Sequence, residues 1–351
     1  MTDYPVKVIA SIPIGADKSF LQLPAPQDFR FVETPIEQYA YKQLIIDGNG
    51  DYQYDFRDTV HDGKIHTLEY SGNLTVPYAD GLSFIDALER GNTILFVDDN
   101  PSYGDFMKDV DAVLDPILRD RLFKYFAMLR VFKEGDFYHR HAFEDFEITI
   151  AGGTDKHFNR LVNIDEPTLL LNPLTITTQE ATDFQTFLSD YSEAYDLLDN
   201  IIIKDFEYSY RIFDEVTAFK NIISAMKATL VPKNHDDDTK KYILGNNVAC
   251  LIEHNPAQLK AVARKIADYY VDRNKAVHAG LRSGITKQKL KDVQDISRRI
   301  IKEELSRAKT WLSTNPTHVY EQFRATEMSR LGQMRRGYID SGIMEESWRN
   351  P

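Results

Sequence analysis

The chain has almost no cysteine, since Cys250 is the single thiol among 351 residues. One cysteine excludes an internal disulfide and any zinc site that is built from several thiolates. Cys250 falls on the apolar side of a helical pattern, where a cysteine behaves as a small hydrophobic residue. We therefore expect Cys250 in a hydrophobic core rather than as a nucleophile.

Long apolar runs are also missing. A membrane-spanning helix needs about 20 consecutive, predominantly apolar residues, and the sequence contains no such run. Residues Met1 to Pro5 do not open a basic segment followed by an apolar one, as a secretory signal would. Hydrophobic residues make up 42% of a chain that is long enough for two domains. We expect a cytoplasmic protein without a membrane partner.

Basic residues are scarce in the first part of the chain. Residues 1–200 contain 35 acidic and 16 basic side chains, a net charge of −19, whereas residues 201–351 contain 19 and 26, a net charge of +7. A basic module can attract a polyanion such as RNA, whereas an acidic one repels it and suits a protein ligand or a regulatory role. The alternative is that both parts carry ordinary solvated surfaces.

Up to residue 175, apolar and polar residues alternate in the way that is typical of half-buried strands. Residues 28–32 alternate cleanly, and apolar residues at 110–131 recur instead at helical spacing. We expect an acidic, β-rich domain over residues 1–175, arranged as a sandwich with one embedded helix. Strands are predicted at residues 6–13, 28–32, 66–70, 73–76, 93–97 and 146–150, and a hairpin at residues 45–54.

Polar clusters in this domain resemble metal sites without matching one. The segment His139–His141 precedes Glu144, but the spacing differs from the cupin pattern, so we expect exposed loop histidines. The carboxylates of Asp98–Asn100 and Asp109–Asp111 lack the glycine-centred loop of a calcium site. No metal and no cofactor is predicted.

From residue 176 the pattern changes to helices. Thr178 can cap the first of them, with acidic residues following where the helix dipole favours them. A further helical run extends over residues 206–230 and stops before Pro232. We expect an α+β protein in which residues 176–315 form an all-α bundle, followed by a C-terminal helix and tail over residues 316–351.

The stretch from Asp272 to Gly280 holds the parts of a phosphate-handling site. Arg273 is a permanent cation whose planar fork can bind two oxygens, and His278 carries an imidazole that changes charge near neutral pH. Asn274 can orient either group or a phosphate. On a straight helix Arg273 and His278 lie about 140° apart, so we expect the helix to loosen near His278, where Gly280 allows it.

This stretch resembles the Arg-x4-6-His signature of HEPN domains, in which a polar residue often follows the arginine. Residues 269–280, with two tyrosines and a Val-His-Ala-Gly run, look like the ApeA-like branch of the superfamily. Residues 210–213 and 225–230 resemble its aromatic and alanine-rich helices. The resemblance covers residues 180–310 and implies that the bundle is HEPN-like.

Resemblance to catalytic HEPN ribonucleases implies a metal-independent endoribonuclease. RNA supplies its own nucleophile, the 2′-hydroxyl, so a base, an acid and a cation suffice to cut the strand. The expected products carry a 2′,3′-cyclic phosphate and a 5′-hydroxyl, and a homodimer would bring two histidines to one cleft. The residues assigned to catalysis are Arg273, Asn274 and His278. The candidate RNA contacts are Lys275, Arg282 and Tyr270.

The resemblance further implies a role in antiphage defence or in toxin-like growth arrest, with the N-terminal domain as a sensor for a phage or regulatory protein. One alternative is a non-catalytic HEPN-like module that dimerises and binds a nucleotide or a protein through the same pocket. At the level of single residues, Arg273 could instead pair with a carboxylate such as Asp272, and His278 could cap a helix. Metal-dependent chemistry at His139 and His141 is a third hypothesis.

Overall fold

The computed structural model divides the chain into two compact units. One unit comprises residues 1–126 and 134–185, and the other comprises residues 127–133 and 186–351. The first contains an antiparallel sheet and the second is helical, so the predicted α+β class is confirmed. The described residues are 2–45, 58–78, 101–139, 141–150, 154–163, 172–198, 201–212, 214–232, 237–282, 284–315 and 319–344.

The strands of the first unit form one sheet in the order β2-β4-β1-β6-β7, with β3 paired to β4 and β5 paired to β1. All the named strand pairs are antiparallel. The expected sandwich is therefore wrong for the described strands. The strands are β1 Thr2–Gly15, β2 Phe29–Pro35, β3 Val60–His61, β4 Lys64–Tyr78, β5 Tyr138–His139, β6 His141–Ile150 and β7 Thr154–Asn163.

Strand β1 lies at the centre of the sheet, with β4 on one side and β6 on the other. Val6 and Val8 point to the buried face, while Lys7 between them is exposed. From Ser11 onward both faces are buried, because a small cluster that includes Tyr39 covers the second face. The Tyr39 hydroxyl lies 2.9 Å from the Ser11 hydroxyl, which satisfies both polar groups in this apolar setting.

An aromatic cluster fills the other side of this unit and includes one of the predicted loop histidines. The rings of Phe126 and Phe137 lie 5.4 Å apart, and the ring of His139 stacks on Phe126 at 4.3 Å. His139 is only 3% exposed, because β5 pairs with β1 and carries the side chain inward. The expectation of an exposed histidine is therefore wrong at this position. Arg140 and the side chain of His141 lie outside the described residues.

The helix predicted at residues 110–131 is confirmed as two helices joined by a π-helical turn, Pro116–Asp120. Most of the predicted hairpin at 45–54 and the strand at 93–97 lie outside the described residues. The helices that lie in or begin in this unit are α1 Lys42–Ile45, α2 Pro101–Asp115, α3 Arg121–Phe132 and α4 Thr178–Leu197.

Helix α4 is capped by Thr177 rather than by Thr178. The Thr177 amide donates to the Glu180 carboxylate at 2.9 Å, and the Glu180 amide donates to the Thr177 hydroxyl at 3.2 Å. This reciprocal pair is a capping box, which satisfies two backbone donors of the first turn. The change of pattern at residue 176 thus marks the start of a helix, and the compact units divide after Gln185.

The second unit is a bundle of packed helices. The run predicted at residues 206–230 breaks into two helices, because the chain turns after Tyr208 and Asp214 starts a new helix as its N-cap. Within the ranges described above, no helix combines the length and apolar character that crossing a membrane requires. The helices are α5 Ile201–Tyr208, α6 Glu215–Leu230, α7 Asp237–Ile252, α8 Pro256–His278, α9 Lys287–Thr314 and α10 Tyr320–Asp340.

The C-terminal helix α10 belongs to the bundle rather than forming a separate extension. Phe323 is 1% exposed and Leu331 is fully buried. Arg324 forms an ion pair with the buried Glu304 of α9 at 3.2 Å. Cys250 is likewise fully buried, as predicted, and burial raises the pKa of its thiol to about 12.

Helices α7 and α8 approach closely at Gly245. A Cβ atom on this residue would stand 2.3 Å from the Ala263 carbonyl oxygen. We predict that Gly245→Ala lowers the free energy of unfolding by about 1–3 kcal/mol, because one backbone must move to admit the methyl group. Chemical denaturation measures this effect. Gly337→Ala is the matched control: its Cβ would meet no atom within 4 Å, so it should raise stability by up to about 1 kcal/mol.

Candidate active site

Helix α8 carries the predicted Arg/His stretch at its C-terminal end. The helix begins at Pro256, as predicted, with the Asn255 side chain accepting from the Ala257 amide at 3.0 Å. It ends where the Ala279 and Leu281 amides both donate to one carbonyl, that of Lys275. This pair of hydrogen bonds needs one residue with a left-handed backbone conformation, and Gly280 adopts it with a φ of 65°.

The helix stays regular through His278, and the loosening predicted near this residue occurs only after it. The bend comes two residues later, at Gly280. Arg273 and His278 therefore keep the splay of about 140° that five residues of a straight helix impose. Within the described residues, no hydrogen bond joins the two side chains. A single chain does not bring the guanidinium and the imidazole together.

Ser224 of helix α6 holds the Arg273 guanidinium from one side. The Arg273 Nε and Nη2 atoms both donate to the Ser224 hydroxyl oxygen, at 3.2 and 3.0 Å. The hydroxyl in turn donates to the Lys220 carbonyl at 2.7 Å, which fixes its own orientation. A side chain with several rotatable bonds is thus held in one position by a neighbouring helix.

The charge of Arg273 is not neutralised by a carboxylate among the described residues. Its remaining contact is from Nη1 to the Asn274 amide oxygen at 3.0 Å, and Asp272 instead binds Lys289 at 2.5 Å. The expected alternative, pairing of Arg273 with Asp272, is therefore not found. A guanidinium has five N–H groups, and the contacts with described residues use three of them. The other two are one on each Nη atom, which suits two oxygens of one anion.

His278 is the last residue of helix α8 and is exposed. Asn274 lies one turn earlier, and residues four apart share a face of a helix. Ser224 contacts Arg273, and Arg273 contacts Asn274. His278 lies one turn further along the helix face that carries Asn274. This end of the helix also carries exposed apolar side chains, since Val277 is 43% exposed and Leu281 is 56% exposed.

The three predicted RNA contacts occupy different environments. Lys275 is exposed, and Arg282 is 61% exposed while forming an ion pair with Asp214. Tyr270 is only 2% exposed, so its ring belongs to the core and cannot stack on a base in this structure. Tyr269 is also buried, and its hydroxyl donates to Asp292 at 2.9 Å. The prediction of an RNA contact is corrected for Tyr270, because the packing of the bundle buries both adjacent tyrosines.

Burial and the contact with Asp292 together raise the pKa of the Tyr269 hydroxyl above its ordinary value. Asp292 itself also accepts from Lys265 and Gln288. These contacts tie helix α8 to helix α9 one turn before Arg273. They make Tyr269 a support for the helix rather than an acid or base.

Asp111 and Glu144, which belong to two of the segments that resemble metal sites, both contact a cation of the chain, Arg160. Arg160 donates to Glu144 through Nε and to Asp111 through Nη2, each at 2.5 Å. Burial raises the pKa of Glu144, although Arg160 opposes this. Among the described residues, no group of three His, Cys, Asp or Glu side chains could hold a metal ion.

Ser224 is the site residue that sequence reasoning missed. It lies 49 positions before Arg273, inside the helical run that was predicted over residues 206–230. No spacing rule links the two positions, because the contact depends on how α6 packs against α8.

No family model matches the chain, and neither a curated protein nor a solved structure matches it. Membership of the HEPN superfamily stays a prediction that rests on the residues between 180 and 310.

Proposed function

We propose that the chain is a metal-independent endoribonuclease of HEPN type that acts in the cytoplasm. One observation carries the proposal: the half-buried Arg273 guanidinium is held by two neutral groups, the Ser224 hydroxyl and the Asn274 amide. A fixed cation that contacts no carboxylate among the described residues is suited to an anion that is not part of the chain. An exposed imidazole stands on the next turn.

The reaction needs a proton acceptor, a proton donor and a cation. The 2′-hydroxyl oxygen attacks the adjacent phosphorus as a base removes its proton, and the bond from phosphorus to the 5′-oxygen breaks as an acid protonates that oxygen. Arg273 stabilises the negative charge that builds up on the phosphoryl oxygens. His278 is the acid or the base, and Asn274 orients the guanidinium. The products are a 2′,3′-cyclic phosphate and a 5′-hydroxyl.

Two histidines serve this reaction better than one, and each chain supplies one at this site. A homodimer that faces two α8 ends toward each other would place an acid and a base on either side of one phosphate. The exposed Val277 and Leu281 beside His278 are suited to such a contact, since apolar surface gains free energy when it is buried. The composite site would then form only in the dimer.

The proposed role is antiphage defence or toxin-like growth arrest. A ribonuclease that acts on cellular RNA must be restrained, and the acidic N-terminal part is a suitable sensor because its net charge of −19 repels RNA. Its proposed partner is a phage or regulatory protein.

A non-catalytic binding module is the second candidate. It is favoured by the splay between Arg273 and His278 on a regular helix, because one chain alone does not assemble the catalytic groups. In that case the same pocket would bind a nucleotide or a protein anion without cutting RNA.

The test is to incubate the full-length chain with mixed RNA in excess chelator and to analyse the ends of the fragments. Cleavage that resists the chelator and leaves cyclic-phosphate ends is expected. Cleavage that the chelator abolishes, or that leaves 5′-phosphate ends, would contradict the proposal. If purified protein cuts nothing, expression in cells decides: growth equal to that with His278→Ala favours the binding module.

A further inference from the structure

Two lysines flank the Arg273 contact along helix α6. Lys220 and Lys227 are seven positions apart, close to two helical turns, so they share one side of the helix at an axial separation of about 10 Å. Ser224 lies between them and accepts from Arg273 Nη2 at 3.0 Å. The side of α6 that holds Arg273 therefore also carries a lysine before and after this contact.

Lys227 is positioned by the helix that carries Arg273. Its ammonium nitrogen lies over the Tyr270 ring, 5.9 Å from the centroid, which is within the range of a cation–π contact. Tyr270 lies three positions before Arg273, one turn earlier on the same face of α8. Tyr270, which was predicted to contact RNA, thus contacts a lysine beside the site and not a base.

No ion pair within the described part of the chain neutralises these lysines. Neither Lys220 nor Lys227 contacts a carboxylate there, and the same holds for Arg273. The carboxylate next to Arg273 in sequence, that of Asp272, binds Lys289 instead at 2.5 Å. Cations that lie near one another repel, and an anion placed between them reverses the sign of the interaction. The arrangement is therefore suited to an anion with several negative charges.

The spacing of the cations favours a chain of phosphates over a single small anion. The two lysines are about 10 Å apart along α6, and the Arg273 guanidinium is held at the serine between them. A lone phosphate that binds Arg273 would leave the lysines without a partner. A nucleic acid strand carries one negative charge per nucleotide in a regular series, so successive phosphates of one strand can meet successive cations.

We propose that Lys220 and Lys227 bind the phosphates on either side of the one that Arg273 contacts. The substrate is then an RNA strand with at least three consecutive phosphates, and mononucleotides and dinucleotides are too short to use the whole row. This inference rests on the proposed function, because it takes Arg273 as the ligand of the phosphate that is cut. Neither lysine contacts the reacting atoms, so both are binding residues.

The experiment measures binding without cleavage. The probe is a fluorescently labelled 2′-O-methyl oligouridine, in which the attacking hydroxyl is blocked, and fluorescence anisotropy gives its association constant with the full-length chain at a series of salt concentrations. For a single strand, the logarithm of this constant falls with the logarithm of the salt concentration, with a slope of about −0.7 for each phosphate contacted. Lys220→Gln and Lys227→Gln should each make the slope shallower by about 0.7. Lys204→Gln removes the same charge from an exposed position of α5 and should leave the slope unchanged.

Slopes in both lysine variants that equal the slope of Lys204→Gln would overturn the inference, and so would the absence of any binding by the wild type. A change in only one lysine variant would also overturn it, because the strand would then not pass both lysines. If the wild type cuts RNA while the slopes stay unchanged, the proposed function stands and this inference fails. If both slopes change although no RNA is cut, the phosphate contacts stand and the ribonuclease activity fails.

Discussion

Replacing His278 by alanine should lower the rate of RNA cleavage by about 10²-fold to 10⁴-fold, because the reaction loses its proton donor and acceptor. Arg273→Ala should lower it by about 10²-fold to 10³-fold, through loss of the charge that stabilises the transition state. Neither side chain is fully buried, so both variants should fold. Single-turnover cleavage of a labelled RNA measures both effects.

Ser224→Ala, measured in the same experiment, should lower the cleavage rate less than Arg273→Ala does. Ser224→Ala leaves the Arg273 charge in place but removes the acceptor for two of its N–H groups. We expect a loss of about tenfold, as for a hydrogen bond to a charged group. Ser224→Thr keeps the hydroxyl and should keep the activity. If Ser224→Ala cleaves as fast as the wild type, the orientation of Arg273 does not matter for the reaction.

Mixing tests whether the site is composite. When wild-type chains exchange with an excess of His278→Ala chains, mixed dimers hold one histidine in place of two, so the activity per wild-type chain should fall. If the activity per wild-type chain stays the same in the mixture, each chain cuts RNA alone. Undiminished cleavage by His278→Ala and Arg273→Ala, with the fold intact, would place the chemistry elsewhere.

Local sequence was sufficient to predict helix α8 but not its site. The start at Pro256 and the end before Gly280 follow from properties of single residues, a fixed φ and a tolerated positive φ. The contact between Arg273 and Ser224 cannot be predicted from single residues, because it depends on how two helices pack. Spacing along one helix could show only that Arg273 and His278 diverge.

The first unit shows the same limit in a sheet. Alternation in residues 6–13 predicted that one face of this strand is buried, as Val6 and Val8 are. It could not decide between one sheet and two, since alternation reports burial and not which strands pair. The buried His139 was missed for the same reason: its strand β5 has only two residues and becomes internal through pairing with β1.

A buried ionic cluster in the helical unit leads to the largest expected change in stability. Glu207 of α5 is 1% exposed and lies 2.8 Å from Arg130 Nε and 2.9 Å from Arg211 Nη2. Arg130 is 2% exposed, and its guanidinium lies over the Tyr210 ring at 4.4 Å. Glu207→Gln would remove the buried negative charge that both guanidinium groups contact. We expect a loss of about 3–5 kcal/mol in the free energy of unfolding.

The pH dependence of stability gives a second measure of this cluster. Burial by itself would raise the pKa of Glu207, but the two guanidinium groups outweigh it and hold the pKa below its ordinary value, which is about 4.3. The carboxylate therefore stabilises the fold fully above the ordinary pKa. Its contribution is lost as the pH falls through the lower, folded-state value. As the pH is lowered below about 4, the free energy of unfolding of the wild type should decrease. Glu207→Gln should show a smaller decrease, because it has no carboxylate to protonate at this position.

The exposed pair of Asp190 and Lys309 is the control for both measurements. Its atoms lie 2.9 Å apart, but both side chains are 48% exposed, so Asp190→Asn should cost less than about 1 kcal/mol. Denaturant unfolding followed by far-ultraviolet circular dichroism reports on the helices in each variant. If Glu207→Gln and Asp190→Asn unfold at the same denaturant concentration, the desolvation of the buried charges cancels their attraction. The cluster would then add no net stability and would serve only to fix which side chains meet inside the bundle.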